Sequence, residues 1–230
     1  MTAVVERPTA RTRPSRILWG LALLMPVGPA AVALLRYLLP YGSSTVPAEM
    51  VTGALAHPGR QSAVLWLSFV AVLTLVPGVL ALAQLTRGLA PRLTAWALAL
   101  TVPAYLSLGG LVYPDQVLWS GTEIGVDPAT TTALLSTVHP TVNLSIVVFV
   151  LGHVVGTVLF GVALLRTGVI PAWAAWALTV SQPLHFVAAV FLDNPPLDLF
   201  AWTLTALAMA VAARVLLRDR PALPGRRSST

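Results

Sequence analysis

The sequence predicts an all-α integral membrane protein with six transmembrane helices, arranged as three parallel two-helix pseudo-repeats with both termini in the cytoplasm. Three observations predict this class. The chain has 230 residues, of which 57% are hydrophobic and 10% charged, and its mean hydropathy of +0.82 exceeds that of soluble globular proteins. Its apolar residues form six runs, each near the roughly 20 residues that cross a bilayer. Its arginines gather at alternate ends of those runs.

The six apolar runs define the domain plan. They lie at about 17–39, 61–86, 93–113, 141–166, 171–192 and 197–217. We therefore expect a single six-helix transmembrane domain over 17–217, with basic cytoplasmic tails at 1–16 and 218–230. The first run has a basic flank like that of a signal peptide, but it is too long for the apolar region of one. It is predicted to remain as the first helix.

Arginine placement predicts the orientation of the chain. All 14 basic residues are arginine, and only Arg36 and Arg60 fall on the side opposite the termini. Because cytoplasmic loops carry the excess of positive charge, both termini are expected inside the cell. The net charge of +6 is then a topology signal and not a sign of nucleic-acid binding. Two longer outer loops, at 46–57 and 127–139, place proline at a first helical position and are predicted to form short capping or interfacial helices.

A recurring pattern predicts the pseudo-repeats. Proline, four residues, tryptophan, a small residue, leucine, four residues and proline occur in that order at 14–26, 91–103 and 171–183. The predicted repeats span about 14–90, 91–170 and 171–220, and they would pack against one another to bury a shared face. The alternative is common composition, because prolines at helix starts and tryptophans at membrane interfaces are frequent in unrelated membrane helices.

Two histidines lie within the apolar hairpin 141–192. His153 lies 15 residues before the turn glycine Gly168, and His185 lies 17 residues after it. Equal distances from the turn predict similar depths on neighbouring helices. Ionisable side chains inside a membrane are costly and therefore predict function, although two neutral histidines bonded to nearby hydroxyls or carbonyls are the structural alternative. The predicted ligand-binding residues are His153, His185, Gln182 and Tyr105.

Several functions are compatible with a histidine pair. A hydrogen-bonding site for a small uncharged solute needs only one or two imidazoles, and its binding or transport is the expected function. A metal needs a third ligand, and no carboxylate or thiol is expected at that depth. A bis-histidine haem needs a gap that the glycines Gly152 and Gly156 are predicted to close. A haem- or divalent-metal-dependent membrane enzyme or redox protein, and a scaffold subunit of a membrane complex, remain the alternatives.

A second group of polar residues is expected at the outer rim of the bundle. Acid-rich loops are normally solvated faces, but they also suit a divalent cation or an enzyme acting on lipid-like substrates. No recognised catalytic motif is present, and the absence of cysteine and lysine excludes disulfides, thiolate metal sites and lysine Schiff bases. The candidate outer-rim acidic cluster comprises Asp115, Glu123, Asp127, His139, Asp193 and Asp198.

One segment, GHVVGTVLFGVALLRTGVIPAWAAWALTVSQPLH at 152–185, resembles uncharacterised multi-pass membrane proteins of high-GC bacteria. The resemblance carries no activity and implies a bacterial cytoplasmic membrane. The predicted partners are then the lipid bilayer and a small-molecule ligand, with no nucleic acid.

Overall fold

A computed structural model describes residues 15–218 of the chain. The predicted basic tails, 1–16 and 218–230, lie outside the described residues except for positions 15, 16 and 218, and so does the first proline of the predicted repeat, Pro14. The α-helices are α1 (Arg16–Leu38), α2 (Pro47–Ala56), α3 (Pro58–Thr86), α4 (Pro91–Glu123), α5 (Pro128–Ser136), α6 (Pro140–Thr167), α7 (Ala172–Phe186) and α8 (Pro195–Arg218). A π-helical turn, Val187–Phe191, continues α7.

Six of these helices are long and apolar enough to cross a membrane, which confirms the predicted six-helix class. They are α1, α3, α4, α6, α7 with its π-helical turn, and α8. Most bounds agree with the predicted runs to within a few residues. The exception is α4, which was predicted to end at 113 and continues to Glu123. The helix passes through Pro114, and the polar side chain that follows, Asp115, is buried among partners from distant parts of the chain.

Proline and glycine set the helix ends. Proline occupies the first turn of α2 to α6, where its missing N–H has no helical partner to lose. The Asp127 side chain caps α5 by accepting a hydrogen bond from the Thr130 amide at 3.1 Å. Gly168 ends α6 with a φ of +63°, a conformation that glycine adopts without strain. These local signals place the turns where the sequence predicted them.

The six long helices form a closed ring. Each helix packs against the next in chain order, and α8 returns to pack against α1. The most extensive packing is between α4 and α6 and between α1 and α3, followed by that of α8 on α1, whereas α7 packs about equally against α6 and α8. Three consecutive two-helix units would produce this order, but the internal repeat itself stays a prediction.

Glycines bring α6 close to α4. A Cβ added to Gly152 would lie 2.6 Å from the Leu100 carbonyl oxygen, and one added to Gly156 would lie 3.1 Å from the Ala97 carbonyl oxygen. Small residues at this spacing permit such close approach between membrane helices. The sequence predicted close helix packing beside His153. In the structure, Gly152 and Gly156 face α4 and not α7, the helix that carries His185.

The two short helices cover one end of the ring, which we call the capped end. Helices α2 and α5 pack against each other and against α4. They share a small core, separate from the main one, formed by Val51, Ala54, Leu118 and Leu135. Which end of the bundle faces the cytoplasm stays a prediction.

The outward faces of the long helices are apolar. Large hydrophobic side chains stay exposed along the ring, a surface that suits lipid and not water. Examples are Leu23 at 63%, Trp66 at 69%, Leu106 at 69%, Leu144 at 61% and Phe191 at 70% exposure.

Candidate ligand-binding site

The two membrane histidines meet inside the ring. The rings of His153 on α6 and His185 on α7 have centroids 5.5 Å apart. The Trp202 indole on α8 completes a triangle, with its centroid 5.8 Å from that of His153 and 5.3 Å from that of His185. Three helices therefore contribute one polar aromatic ring each to a single point in the core.

His153 is fully buried, and only one of its two ring nitrogens has a hydrogen-bond partner. Its Nδ1 lies 2.5 Å from the Phe149 carbonyl oxygen, one helical turn earlier, and the Phe149 ring stacks on the imidazole. A carbonyl only accepts, so Nδ1 carries the hydrogen and Nε2 of the neutral imidazole presents a bare lone pair. That Nε2 has no hydrogen-bond partner in the structure.

Two further side chains beside His153 also have a buried polar atom without a hydrogen-bond partner. Trp202 Nε1, a donor, and Gln182 Oε1, an acceptor, are buried without a hydrogen-bond partner. The other end of Gln182 is held, because its Nε2 donates to Thr205 Oγ1 at 2.7 Å and Thr205 donates to Ser181 Oγ at 2.8 Å. Each unmade hydrogen bond of a buried group costs about 1–3 kcal/mol. Two acceptors and one donor thus lie close together without a hydrogen-bond partner among the described residues.

His185 belongs to a charged chain that ties α7, α8 and α1 together. Its Nδ1 lies 2.5 Å from Asp198 Oδ1, and Asp198 Oδ2 accepts a hydrogen bond from Arg36 Nε at 2.7 Å. Arg36 also donates to Ser43 Oγ at 3.0 Å. The Asp198 carboxylate fixes the imidazole tautomer with hydrogen on Nδ1, which leaves His185 Nε2 as a base.

The position of His185 on α7 depends on a break in that helix. Pro183 removes one backbone N–H two residues earlier, and the π-helical turn Val187–Phe191 begins two residues later. Such turns are often found at functional sites because they re-aim the adjacent side chains.

Asp198 differs from its predicted setting. The sequence placed it in the outer-rim acidic cluster, whereas the structure buries it to 1% exposure inside the ring. Asp115 is likewise buried, at 7% exposure. The expectation that no carboxylate lies at the depth of the histidines, which argued against a metal, is therefore wrong, because Asp198 Oδ1 lies 2.5 Å from His185 Nδ1.

Asp115 forms a second polar cluster, with Tyr41 and Gln61. Its Oδ1 accepts hydrogen bonds from the Tyr41 hydroxyl at 2.7 Å and from Gln61 Nε2 at 2.9 Å. Gln61 Nε2 also donates to the Asp115 carbonyl at 3.1 Å, while its own Oε1 is buried without a partner. Burial and the adjacent Asp115 carboxylate raise the pKa of the Tyr41 phenol, so Tyr41 remains a neutral donor.

The other members of the predicted outer cluster do not join these two carboxylates. Asp193, with a φ of +41°, accepts a hydrogen bond from the Ser43 amide at 2.8 Å. Asp127 caps α5, and the Nδ1 of His139 lies 3.0 Å from Thr141 Oγ1. Glu123 is exposed at the end of α4, and the other three are exposed as well.

A cavity of about 580 Å³ lies beneath the cap and connects the two polar clusters. All eight helices line it, and most of the lining side chains are apolar. Its size falls within the range of about 300–1,000 Å³ typical of small-molecule sites. The polar lining residues that matter here are Arg36, Tyr41, Asp115, His185 and Trp202.

Tyr105 is the predicted site residue that lies apart from the histidine pair. It is buried at 2% exposure beside Thr157 of α6. Of the four predicted residues, His185 lines the cavity, whereas Tyr105, His153 and Gln182 do not. The predicted role of Tyr105 in ligand binding rested on the pseudo-repeat, which places it level with His185. His153, His185 and Gln182 lie together.

Sequence reasoning missed Arg36, Tyr41, Gln61 and Trp202. Arg36 carried a signal, because it interrupts the end of an apolar run, where an unpaired charge is costly. Trp202 is one of seven tryptophans and Gln61 follows Arg60 at a helix start, so neither stood out. Tyr41 lies in a turn, and nothing local connects it to Asp115.

No cluster of three histidine or acidic side chains able to hold a metal ion exists between residues 15 and 218. No protein-family model matches this chain, and no curated protein or solved structure is significantly similar to it. Function is therefore argued from the geometry of these residues.

Proposed function

We propose that this multi-pass membrane protein binds a small amphipathic solute in the cavity beneath the cap, with an uncharged polar group of the solute at the histidine pair. One observation carries the proposal. Among the described residues, His153 Nε2, Gln182 Oε1 and Trp202 Nε1 are buried without hydrogen-bond partners, and Trp202 and His185, whose rings contact that of His153, line a mostly apolar cavity. A hydroxyl group would satisfy two of these three atoms, because it donates to one lone pair and accepts from the indole N–H.

The apolar lining supports an apolar body for the solute. Small-molecule sites generally combine a hydrophobic wall with a few convergent polar groups that fix orientation. Here the polar rings that reach the cavity come from α7 and α8, with His153 of α6 behind them, and the wall comes from all eight helices. The expected ligand is a compact molecule with one hydroxyl or amide end.

The test compares 1-octanol with octane as probes of the purified protein in phosphatidylcholine nanodiscs. We expect 1-octanol to raise the melting temperature more than octane does, because binding to the folded state stabilises it. The difference should vanish in the His153→Ala/His185→Ala double variant. The matched control is His57→Ala/His139→Ala, which removes the two exposed histidines at the capped end.

Shape-preserving variants guard against a folding defect in the alanine pair. Gln182→Leu and Trp202→Phe each remove one unpartnered atom and keep a large apolar side chain, although the first also ends the hydrogen bond to Thr205 and the second loses some volume. If both variants fold and retain the full 1-octanol effect, the proposed site is wrong.

Movement of the solute is the further part of this proposal. Broken helices around a central site are typical of transporters, and α7 is broken beside His185. The chain has no cysteine, so Ser68→Cys introduces a single thiol at a cavity-lining position. Transport requires that this thiol react with a membrane-impermeant reagent from both faces of oriented vesicles. Reaction from one face only would limit the protein to binding.

A second candidate is a membrane enzyme acting on a lipid-like substrate. The observation that favours it is the Asp198–His185 pair, in which a carboxylate orients an imidazole toward general-base work. An enzyme should lose turnover in His185→Gln while keeping 1-octanol binding through His153. A haem or metal variant of this candidate predicts an absorption band or stoichiometric metal in wild type that the double-histidine variant lacks.

A further inference from the structure

The Asp115 carboxylate is only half used by the protein. Both of its side-chain hydrogen bonds, from Tyr41 and Gln61, go to Oδ1. Oδ2 has no hydrogen-bond partner in the part of the chain that the structure describes, and Asp115 lines the cavity. A carboxylate has about four acceptor positions, so the free oxygen presents unused capacity to whatever occupies the cavity.

Asp115 also forms no ion pair. The described residues place no cationic side chain within 4 Å of it, and Arg36, the cation that acts on Asp115 from a longer distance, is held by Asp198 and Ser43. Tyr41 and Gln61 are neutral donors, which stabilise a carboxylate without balancing its charge. An unpaired buried charge is costly, and a cation of opposite sign in the cavity would remove that cost.

We propose that the solute carries a primary ammonium group that donates to Asp115 Oδ2 while its apolar body fills the cavity. This inference rests on the proposed function, because it uses the same cavity and names the class of its ligand: an amphiphilic organic amine. The partnerless Gln61 Oε1, fixed next to Asp115 through the other end of the same amide, supplies a second acceptor for N–H groups.

The surroundings favour an organic cation over a bare metal ion. Calcium and magnesium require several oxygen ligands, often more than one carboxylate, and within residues 15–218 no acidic cluster accompanies Asp115. An alkylammonium needs one carboxylate and an apolar wall, and both are present. The hydroxyl-type site near His153 and the carboxylate near Tyr41 would then recognise two different parts of one molecule.

The test compares octylamine with 1-octanol, two probes of equal chain length, in phosphatidylcholine nanodiscs at pH 7, where an alkylamine is cationic. We expect wild type to bind octylamine about tenfold more tightly than 1-octanol, as judged from concentration-dependent melting temperatures. Asp115→Asn keeps an acceptor for Tyr41 and Gln61 but removes the charge. It should bind both probes equally.

Two variants serve as controls. Asp193→Asn makes the same change on an exposed carboxylate near the cavity, and it should retain the tenfold preference. Tyr41→Phe removes a neutral partner of Asp115 and leaves the carboxylate, so it should also retain the preference for octylamine. This variant shows whether a loss of that preference in Asp115→Asn comes from the lost charge or from a disturbed hydrogen-bond cluster.

The outcomes separate this inference from the proposed function. Equal binding of both probes by wild type, or a preference that survives Asp115→Asn, overturns the ammonium site and leaves the hydroxyl site standing. A third outcome is that octylamine has no effect, while sodium chloride stabilises wild type more than choline chloride does and this difference is lost in Asp115→Asn. The ligand of Asp115 would then be an inorganic cation and not an amine. Failure of both probes in every variant would overturn the proposed function as well.

Discussion

The two buried carboxylates of the bundle have the same chemistry and opposite surroundings. Asp198 contacts a guanidinium on one oxygen and an imidazole on the other. Asp115 receives two hydrogen bonds from neutral groups on one oxygen and none on the other. Both lie within transmembrane helices, and they face one cavity through the clusters they organise.

This difference suggests two roles: Asp198 stabilises the fold, whereas Asp115 is available to recognise a ligand. Asp198 joins α8 to α1 through Arg36 and so closes the helical ring. Its bonds are complete without any ligand. Among the described residues, Asp115 retains an oxygen without a hydrogen-bond partner and has no cationic side chain within 4 Å, which are properties of a group that can bind a partner.

The largest effect is expected on the structural side. Arg36→Met leaves Asp198 buried without its cation, and we expect the free energy of unfolding to fall by about 2–4 kcal/mol, because breaking one half of a buried ion pair strands the other charge. Equilibrium unfolding in mixed micelles measures this. The control is Arg60→Met, which removes an exposed arginine that donates to the Leu38 and Tyr37 carbonyls. Equal losses in the two variants would contradict a structural role for the Asp198 pair.

The same substitution at the two acids tests the comparison directly. Asp198→Asn should destabilise the protein by about 2 kcal/mol, because it ends the charge interactions with Arg36 and His185. Asp115→Asn should change the unfolding free energy by less than about 1 kcal/mol, because the amide oxygen still accepts from Tyr41 and Gln61 while a buried charge disappears. A larger loss of stability in Asp115→Asn than in Asp198→Asn would mean that Asp115 is the structural acid and Asp198 is not.

Tyr41 provides a pH-dependent version of the comparison. Tyr41→Phe should cost about 1–2 kcal/mol at pH 7, the value of a hydrogen bond to a partly buried carboxylate. Since the folded protein raises the pKa of the phenol, this contribution is complete below the ordinary tyrosine pKa and declines as the pH rises above about 10. The unfolding free energies of wild type and Tyr41→Phe should therefore converge in alkaline solution. Tyr37→Phe, which alters a tyrosine at 45% exposure, should show no such convergence.

The smallest expected stability effect belongs to Trp202. Trp202→Phe loses packing volume but also removes a buried donor without a partner, so the net cost should be about 1 kcal/mol or less. The 1-octanol effect on the melting temperature should nevertheless be lost. Trp173→Phe, at a position with 59% exposure, should leave both quantities unchanged. A large stability loss with intact 1-octanol binding would make Trp202 a packing residue.

Much of the fold was predictable because hydropathy is a local property. Six apolar runs predict six helices whatever their neighbours, and prolines and Gly168 mark the helix ends. The end of α4 was misplaced because Pro114 and Asp115 together are typical of a helix terminus. Asp115 is tolerated inside the helix only because Tyr41 and Gln61, 74 and 54 residues away, satisfy it. Such distant pairing has no local signal.

The histidine pair was partly predictable for a similar reason. Distance from the turn gives the depth of His153 and His185, since both helices rise at the same rate. Their rotation could not be predicted, because apolar residues surround both helices and the lipid face is as hydrophobic as the core. Arg36 and Asp198, neighbours in space and 162 residues apart in sequence, were assigned to solvent for the same reason.

The most direct test of the ligand site is the ¹⁵N NMR signal of His153 Nε2 in histidine-labelled protein, with and without 1-octanol. Four histidines give a spectrum simple enough to assign with single variants. We expect Nε2 without ligand to show the shift of an unprotonated nitrogen that accepts no hydrogen bond, and to move toward the shift of a hydrogen-bonded acceptor as 1-octanol saturates. A protonated Nε2 in the free protein, or a signal that does not move while 1-octanol raises the melting temperature, would contradict a ligand site at the histidine pair.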